Sequence, residues 1–471
     1  MTDRRPVSVL RLLARRALTA AGAATALSVV LAGAAWACPP HEEGEGGEHV
    51  HTQTARTAAV PATEAIKGVE RVGGAPDAKG AISLMFIDYG HGRHKRTIVY
   101  ASGQFGLKAY DITKDPRNPK LVGQFDLPGM WETEDSEADP KRKIVYLARD
   151  PRAFGGNTAT GESGIYVIDV SVPERPRQLA YKKVPAGHTT SCINDCQYLW
   201  TGGPAKAASM PAEWGGRPVW VTDVRDPRNP EVFEQPIDLG RNDGKTDYTH
   251  DVQVDAHGIA WASGRGGVRG YHTSGLHYDP VQKRIRKATA WDPVPYAGGG
   301  IAEEATNSSF MHNSFRPVGR THREAADPRR WGNGRLIYVT EETFHQTNCE
   351  GDGHLVIASL DGSHGGQGWR STPERPFRLK TVGKWHVHGQ EGSSDSTDCS
   401  AHYFDVRDGV LVQSFYSQGT RFLDVRDPSR IRQLAYYRPA DAASWQPYWH
   451  GDYVYVADNT RGIDVLKPTF R

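Results

Sequence analysis

The sequence carries none of the short signatures that usually give an enzyme away. It has no G-x-S-x-G elbow, no phosphate-binding G-x-x-x-x-G-K-[ST], no H-E-x-x-H and no dinucleotide fingerprint after a strand. The glycine-rich GRGGVRG from Gly264 joins two strand-like strings and opens no helix, so it reads as a hairpin. Charge of one sign is also lacking: 57 Lys and Arg face 55 Asp and Glu, a formal +2. Without residues 1–37, which carry five Arg and one Asp, the balance is −2. Such a chain has no electrostatic footprint for nucleic acid. Cysteine is sparse, at 5 in 471 residues. Long apolar runs are absent after the first 37 residues, so the mature chain is expected to have no membrane span.

The one apolar run, 17–36, follows Arg4, Arg5, Arg11, Arg15 and Arg16 and ends in Ala35-Trp36-Ala37, the layout of an export signal over residues 1–37. Arg15-Arg16 before that run resembles a twin-arginine signal. Cleavage after Ala37 makes Cys38 the first mature residue and a candidate lipid anchor, and the location follows as secreted or cell-surface. Residues 38–65 are rich in Gly, Glu, His and Thr with little to bury, which predicts a disordered leader whose His41, His49 and His51 stand among carboxylates. The remaining cysteines suit an oxidising compartment. Cys192 and Cys196 bracket a turn-like Ile193-Asn194-Asp195 and are expected to bridge that hairpin, leaving Cys349 and Cys399 to pair by elimination. A cysteine metal site is the competing reading, weakened because C-x-x-x-C has no second close pair.

What the chain has in abundance is repetition. A strand-like string recurs as IVYAS (Ile98), IVYLA (Ile144), QYLW (Gln197), IAWAS (Ile259), LIYVT (Leu336), VLVQS (Val410) and YVYVA (Tyr453). Each has a partner: LKAYDI, IYVIDV, VWVTDV, VRGYHT, LVIASL, TRFLDV and GIDVLK. Intervals of about 45 to 75 residues fit a propeller blade rather than a helical solenoid. The expectation is therefore an all-β, seven-bladed β-propeller over residues 66–471. The last repeat ends too early for a four-stranded blade, so an N-terminal strand, 68–71 or 82–87, should close the ring.

Most partner strands run into an Asp and a Pro-bounded turn, as in YDITKDPRNP (Tyr110), TDVRDPRNP (Thr222) and LDVRDPSR (Leu423). Asp111, Asp169, Asp223, Asp424 and Asp464 recur at one place in this phrase and should bind backbone amides at the turn. The phrase x-D-V-x-D-P-x-x-P after an apolar strand resembles the LVIVD-repeat β-propellers from about residue 83 to the end. It is lost in the fourth and fifth repeats. The resemblance implies a propeller fold and an exported or surface location, and little about chemistry.

Chemistry is expected at the axis. The repeats open with WETED (Glu132), GHTTSC (His188), THDVQV (His250), MHNSF (His312), AHYFDV (His402) and SWQPYW (Trp445). In a propeller the innermost strand of each blade faces the axis, so one side chain per blade can meet its counterparts there. His188, His250, His312 and His402, with Glu132 as fifth ligand or as a base, make a set suited to a transition metal ion: copper, zinc, iron or manganese. The competing reading is that each His is structural, bonded to backbone or to Asp251 or Asp405. Propellers of the selenium-binding protein (methanethiol oxidase) type and the carotenoid-cleaving oxygenases similarly hold a redox metal on axial His. This chain resembles them in that geometry alone, having no adjacent His-His pair. His386 and His388, two apart on an expected strand, and His345 and Glu350 in an inserted loop complete the potential ligands. Three functions follow: a metal-dependent oxidoreductase acting on a small molecule, a non-catalytic surface module that binds a small-molecule or protein partner at one propeller face, or a metal store or sensor fed by the His-rich leader.

Overall fold

A computed structural model of the chain describes residues 63–127, 134–150, 163–203, 219–237, 248–265, 267–301, 310–318, 334–342, 353–371, 374–394 and 399–470. Among them the protein is all-β, built from antiparallel meanders that follow one another along the chain. The first sheet takes Ala81–Tyr89, Arg96–Gly103, Gly106–Asp111 and Lys120–Asp126 in order, and the second Glu137–Asp139, Ile144–Arg149, Gly164–Asp169 and Arg177–Lys183. Thr189–Ile193, Tyr198–Gly202, Trp220–Asp223 and Glu231–Val232 form the third. The fourth meander is Tyr248–Val254, Ile259–Arg265, Gly267–His272 and Val294–Ile301; the fifth is Met311–Phe315, Leu336–Glu341, Leu355–Ser359 and Arg378–Trp385. Their outer strands touch in parallel at Gly300 and Arg378, merging them into one sheet. Phe404–Arg407, Val410–Ser414, Thr420–Asp424 and Arg432–Arg438 follow, with Ala65–Lys67 added outside. Ser444–His450, Tyr453–Asp458 and Gly462–Pro468 end the chain.

The recurring apolar strings are the second and third strands of these meanders, which is why they read as fully apolar: both faces are covered by neighbouring sheets. Trp261, Val268, Met311, Ile337, Val339 and Val356 fill the space between the fourth and fifth meanders, and Tyr100, Leu107, Val145, Leu147 and Ile168 that between the first and second. Each such large side chain contributes about 1.5–3 kcal/mol by leaving water. Ala75, Val99, Tyr455 and Val465 pack the last sheet on the first. The strand that completes the last sheet is Val69–Ala75, antiparallel to Gly462–Pro468. Of the two segments expected there, 82–87 instead opens the first sheet.

The turn aspartates behave as expected at four of five places. Asp111, Asp169, Asp223 and Asp424 each accept the amide two residues on, at 2.9, 2.9, 3.0 and 3.1 Å. Asp464 differs: it is buried and binds Arg71, Arg461 and the Tyr437 hydroxyl instead. The fourth repeat lost its Asp-Pro turn because a hairpin, Leu276–Asp279 with Arg284–Lys287, is inserted there. GRGGVRG is the expected hairpin, pairing Gly264 with Gly267.

Cys192 and Cys196 form the predicted disulfide across a turn in which Asn194, Asp195 and Cys196 all have positive φ. Cys399 is also disulfide-bonded, while Cys349 lies outside the described residues, as do the export signal and nearly all of the leader. No helix among the described residues is long and apolar enough to cross a membrane.

Candidate metal centre

His250 and His312 lie on the opening strands of their sheets, and the strands are bulged at those residues. Pairing with the second strand jumps from Thr249 to Asp251 and from Met311 to Asn313, so each His is the extra residue of a β-bulge. Trp445 and Ile82 are the extra residues of the corresponding bulges in the last and first sheets. A bulge re-aims a side chain that regular alternation would send elsewhere. His188 and His402 stand just before their strands, tied by amide bonds to the Gly202 and Ser414 carbonyls at 3.2 and 3.0 Å. Gly203 makes room for His188: its φ is +106°, and a Cβ there would lie 2.2 Å from the His188 Cβ.

The four imidazoles are wholly buried and converge on one carboxylate, that of Glu134. Its oxygens lie 3.5 Å from His188 Nε2, 3.3 Å from His250 Nε2, 3.5 Å from His312 Nε2 and 3.5 Å from His402 Nε2. His188 Nε2 and His250 Nε2 are 2.9 Å apart. The rings of His250 and His312, and of His312 and His402, have centroids 4.0 Å apart. Glu132, the carboxylate predicted from the sequence, lies outside the described residues; the one at the imidazoles is Glu134, two positions on.

The far nitrogens settle which atoms face inward. His250 Nδ1 is 2.9 Å from the His312 carbonyl and His402 Nδ1 is 2.7 Å from the Trp445 carbonyl. A carbonyl can only accept, so each Nδ1 carries the proton and each Nε2 presents a lone pair to the axis. His188 Nδ1 faces the Asp150 carboxylate at 3.1 Å. The His402 Nε2 and both His312 nitrogens have no well-directed hydrogen bond. Orphaned buried acceptors of this kind are costly, and a cation among them would satisfy them together. Burial, reinforced at His312 by neighbouring His, pushes the His250 imidazole down to about 4 and holds that of His312 well below its usual range. Burial opposes ionisation of Glu134, but His188 and the other three imidazoles around it outweigh it and hold the carboxyl well below the ordinary range.

Three overlapping groups can hold a metal ion: Glu134 with His312 and His402, Glu134 with His188 and His250, and His250 with His312 and Glu342. Glu342 was not foreseen. It lies 3.8 Å from His312 Nε2 and accepts the Tyr416 hydroxyl at 2.6 Å. The expected aspartate partners do not serve the imidazoles: Asp251 binds Asn313 and Gln253, and Asp405 caps the Val406 and Trp449 amides. His386 and His388 lie just past the strand Arg378–Trp385 rather than on it, half-buried and outside these groups. His345 and Glu350 lie outside the described residues. Trp445 and Ile82 pack with Tyr416 in a small apolar cluster beside His402.

A cavity of about 370 Å³ is lined by Asp135, Glu137, Asn313, Tyr403, Gln446 and Tyr448 among others. Burial pushes Asp251, which lies beside the cavity's Asn313 and Gln253, up to about 6; burial, with neighbouring carboxylates adding to it, pushes Glu137 up to about 7 and holds Asp135 well above its usual range.

No family model matches the chain, and no curated protein matches it in sequence. Solved structures similar to it include the periplasmic gluconolactonase PpgL of Pseudomonas aeruginosa, at 16% identity over 81% of this chain and 92% of that one, with a TM-score of 0.47. The β-propeller domain of Cps50 (Swd1) from Myceliophteria thermophila is similar at 10% identity over 86% and 99%, with a TM-score of 0.49. Neither identity is high enough to carry chemistry across.

Proposed function

We propose that this is an exported LVIVD-repeat-like protein whose meanders are seven blades of one closed ring, with a single first-row transition metal ion on its axis and oxidoreductase activity toward a small molecule. The ligands are His188, His250, His312 and His402, with Glu134 in the role first given to Glu132. One observation carries the reading: four buried Nε2 atoms surround one carboxylate within 3.3–3.5 Å, two of them fixed as lone pairs by carbonyls behind them.

Zinc sites commonly use four ligands, and structural ones favour thiolate. Four imidazoles and a carboxylate suit iron, manganese or copper better. Such an ion supplies Lewis acidity and one-electron chemistry. The chain itself fixes the imidazole tautomers, keeps bulk water from the buried donors, and holds Glu342 against the Tyr416 hydroxyl, where a proton can be passed beside the centre. The 370 Å³ cavity offers a small molecule its approach.

Metal analysis of the mature protein, purified without a histidine tag, tests this. About one ion per chain is expected, absent from a folded His250→Ala variant. The ion should give an electron paramagnetic resonance signal that changes reversibly with reductant and air. A metal-free wild-type protein sinks the site, and zinc alone sinks the redox chemistry.

A further inference from the structure

One residue beyond the imidazole layer the chemistry changes from nitrogen to oxygen. The residues that follow Glu134, His250, His312 and Trp445 are Asp135, Asp251, Asn313 and Gln446, all at least nine-tenths buried. Asp135, Asn313 and Gln446 line the 370 Å³ cavity together with Glu137 and Gln253. The carboxyls of Asp135 and Asp251 are in direct contact. Asn313 Nδ2 and Gln253 Nε2 donate to Asp251 Oδ2 at 2.9 and 3.2 Å, and the Ser191 hydroxyl donates to Asp135 Oδ2 at 3.3 Å. These bonds turn the amide nitrogens toward the carboxylate and leave the oxygens over. Asp251 Oδ1, Asn313 Oδ1 and Gln446 Oε1 are buried acceptors with no hydrogen-bond partner. Among the described residues no Lys or Arg pairs with Asp135, Glu137 or Asp251. Asp135 also holds a φ of 43°, a backbone conformation that costs about 1–3 kcal/mol and persists where the surroundings impose it.

We propose that this layer is a second cation site, distinct from the imidazole centre, which takes a hard divalent cation, calcium by preference. Asp135, Asp251 and the Asn313 amide oxygen hold it, with Glu137 and Gln446 on the cavity side. Calcium accepts six to eight oxygen ligands in adaptable geometry, and mixed carboxylate and amide oxygens beside a cavity with room for water fit that demand. Imidazole-seeking metals have no nitrogen donor here. The inference does not depend on what the imidazoles bind.

Terbium(III), an oxygen-seeking stand-in for calcium, tests it on the full mature chain after chelation and dialysis. Tyr403 and Tyr448 line the same cavity and can sensitise terbium emission, whereas the acidic leader 38–62 has no aromatic residue and gives none. Saturable emission at one ion per chain is expected, displaced by calcium. It should weaken at least tenfold in Asp251→Asn and persist in His250→Ala. Asn313→Ala, a milder change, should weaken it several-fold if Asp251→Asn does not fold. Absence of calcium-sensitive emission from the wild type overturns the site and means that the carboxyls share a proton instead. Emission undiminished in both folded variants, or lost in folded His250→Ala, overturns it equally.

Discussion

Rim and axis occupy fixed places in the same repeat, yet they solve opposite problems. At the rim the repeated residue is Asp in every repeat but the fourth and fifth, and at four places its partner is the amide two residues on. At the axis the repeated residue is Ile82, Glu134, His188, His250, His312, His402 and Trp445 in turn. A rim aspartate is satisfied within its own turn, so each copy can be the same. An axial side chain has little of its own sheet to bond with and is satisfied across sheets or by something bound. Uniformity marks the scaffold here, and variation at a fixed position marks the chemistry.

The sharpest way to break this contrast is to remove the ion. Chelation of the wild type should lower its unfolding free energy by about 4 kcal/mol if the ion stands a thousandfold above its dissociation constant. Urea unfolding with and without a chelator selective for transition metals over calcium measures this, and His250→Ala should no longer respond to that chelator. Gly203→Ala comes next. It forces a side chain into positive φ against His188, costing about 1–3 kcal/mol and lowering metal content, read by calorimetry and elemental analysis. At the rim, Asp223→Ala should cost about 1 kcal/mol and leave metal content unchanged; a loss of metal there would erase the distinction.

Acid sharpens the rim further. Arg426, with help from Arg432, holds the Asp424 carboxyl at about 2. A depressed acid contributes stability that is complete above the ordinary carboxylate range and is lost as pH falls toward 2. Asp424→Asn should therefore flatten the acid limb of stability measured against pH. The smallest effect belongs to the exposed Lys67–Glu391 pair, where Lys67→Ala should leave the urea midpoint unchanged.

The sheets were legible because strands covered on both faces leave dense apolar strings, and the turns because Asp and Pro leave little conformational choice. The four His were legible from their common place in the repeat. Glu134 was passed over because WETED offers two Glu and the reading took Glu132, which lies outside the described residues. The signal that separates them is spacing: Glu134 stands ten residues before Ile144, as His188 stands ten before Tyr198. Asp135 and Asn313 were passed over for another reason. Simple alternation sends neighbouring side chains to opposite faces, and nothing in the local sequence announces a bulge that lets two successive residues reach the axis. Glu342 lies just past a second strand, Leu336–Glu341, where sequence pattern reports burial but not which buried residue nears a distant His.

The pairing of Val69–Ala75 with Gly462–Pro468 has a consequence for biogenesis. The first strand of the last sheet to leave the ribosome, Val69–Ala75, must wait, unpartnered, until Gly462–Pro468 has been synthesised. Deleting Gly462–Pro468 would strip two strand edges at once and invite self-association, whereas a covalent clasp between it and Val69–Ala75 would hold the last sheet together.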